Sequence, residues 1–514
     1  MDLTKWLVYI IIPILSIALY FLHRHLTYWK RRGIPHTKPH PLWGNLVGIR
    51  KTKILTEILN AAYNKHKGSG PFCGFYFFQR PSVLVLDTAL AKNVLIKDFS
   101  NFSNRGIFYN ERDDPLTGHL FSLDGVKWKH LRQKLSPTFT SGKMKFMFPT
   151  VVRVAEEFVE VFGEMVQKSA NVEIKEMMAR FTTDVIGTCA FGIECNSLRD
   201  PNAEFRVMGR MAFTKTRHGD LLTRFIRSCP DLARRLRMRQ IHEDVHQFFM
   251  RIVGETVAHR EQNNIKRNDF MDLLIDMKNQ KGADGLGGLS VEEIAAQAFA
   301  FFLAGFETSS TTMGFALYEL ALHPEWQDKL RTEINTVLAK HNQEFTYECM
   351  KELHLMEQVI AETLRMYTVL AMLQRQAIND YVVPGHPKYV IEKGTSVLIP
   401  SCAFHSDPEF YPEPHAFKPE RFSPEMVQQR DSVQWLPFGD GPRNCIGLRF
   451  GKMQVRIGLA YLLKNFKFSV SKETQVPLKF DVRSILLGAK GGIVLKAEKL
   501  ERSKLKLTQC ILVL

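Results

Sequence analysis

The first residue in this chain that could do unusual chemistry is a cysteine. Cys445 lies in "PFGDGPRNCIGLRFG" (437–451), with Gly439 and Gly441 before it and Gly447 after it. A free cysteine ordinarily packs as a small hydrophobe. Here the glycines let the backbone bend sharply and approach a bulky group. The run "IGLRFGKMQVRIGLAYLLKNF" that follows has apolar residues at helical spacing, so a helix is expected to begin close to the cysteine. A helix N-terminus favours thiolate over thiol. A nucleophilic thiolate calls for a base, and this segment has no histidine. A zinc site calls for a second cysteine or histidine at short spacing, and none lies between His415 and Cys510 apart from Cys445 itself. What is left is a single thiolate ligand to a metal whose other positions a cofactor fills. Haem iron takes such a ligand.

A second group sits in the apolar stretch "IAAQAFAFFLAGFETSSTTMGFALYELAL". Ser290 and Glu293 are spaced as a capping box, and Pro324 stops the pattern after His323. The spacing predicts one helix of roughly 50 Å, apolar on nearly every face and so destined for the core. Ala304, Gly305, Glu307, Thr308, Ser309 and Ser310 interrupt it. Hydroxyls can bond back to the preceding turn, but a buried carboxylate needs a partner. Two further pairs stand at helical spacing. Glu362 and Arg365, in "AETLRMY", are three apart, and Trp128 and Arg132, in "GVKWKHLRQKLSP", are four apart. Taken alone, the first is an ordinary solvated ion pair and the second a surface Trp/Arg stack.

Read together, these stretches resemble the cytochrome P450 family. Phe438, Gly441, Arg443, Cys445 and Gly447 fill its haem-binding signature completely, and "AGFETS", "AETLRMY" and "FKPERF" follow its other motifs in the right order. The style of "DDPLTGHLFSLDGVKWKHLRQKLSPTFTSGKMKFMFPT" is closest to the insect microsomal, xenobiotic-metabolising branch. The resemblance implies haem b with Cys445 as its axial thiolate and metal ligand. It implies that Gly305 allows close approach of a ligand and a local opening of the long helix, with Ala304 beside it. Thr308 would hydrogen-bond to the oxygen being activated, and Glu307 would help relay protons. Trp128, Arg132, Arg375 and Arg443 would hold the haem propionates, and Glu362, Arg365 and Arg421 would form an interlocked structural network. Thr368 stands where relatives carry proline, a departure expected to loosen the segment that follows. The "LLGAKGG" stretch, with Gly488 and Ala489, also departs from the family pattern.

The implied activity is a monooxygenase that inserts one atom of O2 into a hydrophobic small molecule. The chain carries no flavin, nicotinamide or iron–sulfur fingerprint. Electrons from NADPH therefore come through a partner, by resemblance a membrane-bound NADPH–cytochrome P450 reductase, with cytochrome b5 as a further candidate. Two other classes stay open on the sequence: an oxygen-independent haem-thiolate isomerase or dehydratase, and a non-enzymatic ligand-sequestering haem protein.

These residues need a large scaffold, and the chain supplies one: 514 residues, 45% hydrophobic and 24% charged. The formal net charge of +16 suits a membrane surface or an acidic partner. No compact basic run with interleaved aromatics favours nucleic acid. The eight cysteines are scattered without a C-x-x-C pair, as in a reducing compartment. Residues 6–22, "WLVYIIIPILSIALYFL", carry no charge and at ~1.5 Å per residue reach ~25 Å, enough for an uncleaved membrane anchor over 1–22. Arg24, Lys30, Arg31 and Arg32 follow it, which places the remainder on the cytoplasmic side, and the resemblance implies that the membrane is that of the endoplasmic reticulum. A basic, proline-bearing linker over 23–44 and a haem domain over 45–514 complete the expected organisation. Strand patterns are few ("SVLVLDT", "YVVPGH", "SVLIPS", "GGIVLKAE"), a glycine-rich loop spans 282–289, and the fold class is mainly α with small β-sheets. Apolar pocket segments are expected over 102–120, 205–213, 299–308, 369–373 and 484–489.

Overall fold

The computed structural model describes residues 3–267, 269–279 and 288–501. Most of the expected glycine-rich loop, and the end of the chain with Cys510, lie outside these residues. The long helix forms over Val291–Leu322, with Ser290 accepting from Glu293 N and Glu293 returning the bond to complete the capping box. Pro324 opens the next helix, Pro324–Lys340, because its missing N–H is harmless in a first turn. The long helix packs most extensively against Ile174–Ile186. Gly305 lies in that contact: a Cβ there would come within 2.2 Å of Ile186 Cδ1. The glycine thus permits a close approach of helix to helix, and it also lines the cavity described below.

Among the described residues nine strands form three small sheets. Strands β1 (Phe72–Phe77), β2 (Arg80–Val85), β4 (Leu373–Gln376) and β7 (Ser396–Ile399) make one, in the order β1–β2–β7–β4. The β2–β7 pairing is parallel, and β4 runs antiparallel to β7 with Arg375 opposite Val397. Strands β3 (Asn171–Glu173), β8 (Phe466–Ser469) and β9 (Val494–Lys499) make the second, with β9 central. Strands β5 (Tyr381–Val382) and β6 (Val390–Ile391) make the third. The two largest apolar clusters among the described residues lie around the long helix and beneath the four-stranded sheet. The site lies where they meet.

The stretch over 23–44 differs from a free linker. Trp29 is 1% exposed and donates to Phe75 O at 3.3 Å, and His36 pairs with Gly74. Gly74 leaves the room, since a Cβ there would meet the Trp29 ring at 2.2 Å. An indole buries enough apolar area to hold this segment against β1, a contact that charge and proline content did not reveal. Ahead of it a helix runs over Leu3–Leu26, but the side chains of residues 3–11 and 18 lie outside the described ones. Among the described residues no helix is long and apolar enough to cross a membrane.

Candidate active site

Cys445 stands on the wall of a cavity of about 670 Å³, facing the middle of the long helix. Its loop is held by backbone geometry. Gly439 and Gly441 have φ of +69° and +70°, a region that suits glycine, and a Cβ on Gly441 would lie 1.9 Å from Leu95 O. Cys445 N donates to Phe438 O at 2.8 Å, and the helix Leu448–Asn465 begins three residues on. Burial pushes the thiol up, and the Gly447 N–H, Arg132 and Arg105 pull it down without offsetting that push. The helix end and nearby cations therefore do not produce a stable thiolate by themselves. A metal cation at the sulfur would.

Across the cavity the long helix turns Ala304, Gly305, Thr308 and Ser309 inward. Ala304 is exposed in the middle of a buried helix because only the cavity lies over it. Thr308 Oγ1 donates to Ala304 O at 2.6 Å, which keeps its proton on the helix and leaves its lone pairs free. Glu307 follows a different course. Its Oε1 accepts from Lys175 Nζ at 2.6 Å, and the residue is not among those lining the cavity. Adjacent helical residues point about 100° apart, so the acid and the threonine occupy different faces. Gln454, fully buried on the helix after Cys445, donates to Gly305 O at 2.8 Å and to Ser309 Oγ. It joins the two walls of the site. Nothing in its local sequence marked it.

Four guanidiniums gather at one end. Arg132 donates to Asn444 O at 2.9 Å and Asn444 Oδ1 at 2.8 Å. Arg443 lies 4.4 Å from the centre of the Trp128 ring and donates to Asp124 Oδ1 at 3.0 Å. Arg375, placed by β4, donates to Gln374 O. Arg105 also lines the cavity, a residue that sequence reasoning missed because no spacing pattern marks it. Burial pulls the Arg375 group down to about 10, with repulsion from Arg443 adding to it, and it pulls Arg105 well down. The Nε atoms of Arg375 and Arg443 are buried without a partner. One carboxylate, Asp124, faces this group. Buried guanidiniums with orphaned donors call for an anion with several oxygens. A haem fits on both counts, with iron at Cys445 and two propionates among the arginines.

Behind the cysteine loop, Glu362 is 0% exposed. It accepts from Arg365 Nε and Nη2 at 2.7 and 2.8 Å and from Lys418 N at 3.0 Å, and Arg421 Nε stands 3.3 Å away. Arg365 Nη1 donates to His405 O. Leu436 N donates to His405 Nε2 at 2.8 Å, so the Nδ1 proton faces Thr368 Oγ1, also at 2.8 Å. Thr368 Oγ1 donates in turn to Arg365 O. Thr368 is thus buried and tied on two sides, to Arg365 and to His405.

Of the expected pocket segments, residues from 102–120, 299–308, 369–373 and 484–489 line the cavity. None from 205–213 does; Ala212 and Phe213 line a smaller neighbouring cavity instead. The outer wall comes from residues 46–56 and 77–82, which the sequence did not indicate.

The family model described as Cytochrome P450 matches residues 34–495. The chain is 59% identical over 504 residues to cytochrome P450 6a2 of Drosophila melanogaster, covering 96% of this chain and 99% of that one. It is 58% identical to cytochrome P450 6a8 of the same species, and 52% identical over 510 residues to cytochrome P450 6A1 of Musca domestica, in each case covering the whole of the relative. The chain belongs to the cytochrome P450 family, and within it resembles insect members. It is a haem-thiolate monooxygenase that uses O2 and NADPH-derived electrons delivered by a redox partner.

Glu362→Gln leaves two arginines without their charge partner in a dry place, a loss of ~3–5 kcal/mol. The purified variant should melt well below the parent and retain little haem. Unchanged melting and haem content would mean that the network carries no structural load.

Proposed function

We propose that this cytochrome P450 oxidises hydrophobic small molecules of xenobiotic type, or endogenous lipids, at the face of the cavity between Cys445 and Thr308. The observation that carries this reading is the opposition of the Cys445 thiol and the inward-facing Ala304 and Thr308 across a largely apolar space. When bound, the haem supplies the reducing and oxygen-activating chemistry. The protein residues do the rest. Phe301, Val369 and Leu486 give the cavity apolar walls that position an apolar substrate and exclude water. Thr308 Oγ1, its own O–H donated to Ala304 O, has lone pairs free to accept a hydrogen bond from the cavity and so holds a proton at that point. Glu307 can act as a relay by releasing Lys175 and turning toward the threonine. The oxygen-independent and sequestering alternatives have no support from the relatives.

The same reading places the protein in the endoplasmic reticulum membrane, held by an anchor over 1–22 with the haem domain toward the cytoplasm. The charge-free run over 6–22 and the four basic residues after it support this. The partner is read as NADPH–cytochrome P450 reductase, with cytochrome b5 as a second donor; the net charge of +16 suits an acidic docking face.

Thr308→Ala removes a positioned hydroxyl at little packing cost. In a reductase-reconstituted assay, NADPH use should continue, peroxide should appear, and the product-forming rate should fall by about 10², the scale of a positioned proton-transfer group. An unchanged ratio of product to NADPH would contradict the role given to Thr308. Removing residues 1–22 should lower sedimentation with membranes and leave haem content intact. Loss of haem on that truncation would show that the segment belongs to the fold.

A further inference from the structure

Asp124 stands at the N-cap of the helix Gly125–Leu135, the helix that carries Trp128 and Arg132. An aspartate in this place ordinarily accepts from the second or third amide of its own helix. Asp124 makes no such bond. Its oxygens turn away to a different segment. Oδ1 accepts from Arg105 N at 2.8 Å and from Arg443 Nη1 at 3.0 Å, and Oδ2 accepts from Gly106 N at 3.1 Å. The helix thus forgoes a cap so that one carboxylate can hold two backbone amides and a guanidinium together.

The segment it holds, 104–106, is stitched to β4 on its other side. Gln376 N donates to Asn104 O at 2.8 Å, and Gln374 Nε2 donates to Arg105 O at 3.1 Å. Arg375 lies between these two glutamines. The Arg105 guanidinium donates to Phe121 O at 2.7 Å and sits 3.9 Å from the centre of the Phe121 ring. Gly106, Ile107, Phe108 and Phe121 then continue as the wall of the cavity. Three residues of backbone therefore join the strand of Arg375, the loop of Arg443 and the wall. Charge runs the same way. Arg375 and Arg443 repel Arg105, and Asp124 attracts both Arg105 and Arg443. Its side chain is 15% exposed, so water screens that charge little. An amide of the same shape could not do this work. It has one accepting oxygen, and its NH2 would face another donor.

We infer that Asp124 is a positioning residue that sets two things at once: the Arg443 guanidinium at the place of the cofactor, and the 104–108 wall that faces the substrate. The two then move together, and the carboxylate charge acts on the iron. This assignment rests on Cys445 holding haem iron in this cavity. Reduction of that iron adds negative charge, which a nearby carboxylate opposes. Removing the charge therefore makes reduction easier, and removing the oxygens frees the wall.

The test uses the full-length, haem-loaded chain in nonionic detergent, with Asp124→Asn and Asp124→Glu. A spectroelectrochemical titration gives the reduction potential, and hydrogen exchange read by mass spectrometry gives the protection of the peptide over 104–108. Asp124→Asn should move the potential to more positive values, by about tenfold in the reduction equilibrium, the scale of one poorly screened charge. The same peptide should exchange about tenfold faster, the scale of one lost charge-assisted bond. Asp124→Glu keeps the charge and displaces the oxygens, so its potential should match the parent while its exchange rises. An unchanged potential in Asp124→Asn would overturn the assignment, because the charge would not reach the cofactor. Unchanged exchange would overturn it too, because the wall would not hang on Asp124. An equal potential shift in both variants would likewise count against it. Should Asp124→Asn load no haem, Asp124→Glu decides alone: a parental potential with faster exchange supports the assignment, and any other pair of results overturns it. The reduced-carbonyl spectrum of the parent separates the two levels. A missing thiolate signature would sink the haem-thiolate reading, while the exchange comparison would still decide whether Asp124 holds the wall.

Discussion

Glu362 is a carboxylate with no access to water, and the geometry of the site follows from how its charge is met. Such a group is tolerated only when its partners are charged and its oxygens are filled. Arg365, Arg421 and the Lys418 backbone do this together, which fixes the helix His354–Met366 against the segment carrying "FKPERF". From Arg365 the constraint passes through His405 and Thr368 to the Leu436 amide, directly before the cysteine loop. Burial and the nearby arginines push the His405 imidazole down to about 3, so it stays neutral and keeps one fixed donor and one fixed acceptor. A loop that must present one sulfur atom is therefore tied to a rigid helix by directional bonds.

The distal wall is held by different means. The long helix is positioned by apolar packing, closest where Gly305 meets Ile186, and by the single amide of Gln454 reaching Gly305 O and Ser309. The two walls of the cavity are thus joined by a side chain from the same helix that begins after Cys445. Charge is also distributed by need. The inner arginines are buried with orphaned donors, which suits an anionic cofactor, and burial pushes the Cys445 thiol up.

What the sequence made legible was local. The cysteine loop, the capping box at Ser290 and the i,i+3 pair at Glu362 each lie within a few residues, the long helix is one unbroken pattern, and each has the expected form. What it did not show depends on partners far away in the chain. That Lys175 pairs with Glu307, and that Ile186 packs against Gly305 beside the cavity, could not be read from the local sequence. Trp29 gave no sign that it would be buried under β1, and Thr368 gave none that His405 would replace the stiffness of a proline. Arg105 and Gln454 belong to no spacing pattern. Only the cavity brings them together.

The central claim is that Cys445 ligates the haem iron as a thiolate. The most direct measurement is the absorption spectrum of the reduced carbonyl complex of Cys445→Ser beside the parent. The parent should show the thiolate signature and the variant should lack it, because Cys189, the other described cysteine on the cavity wall, is buried and its thiol is pushed up to about 12 by that burial. A variant that keeps the thiolate signature would contradict the account, since the iron would then be held by another sulfur.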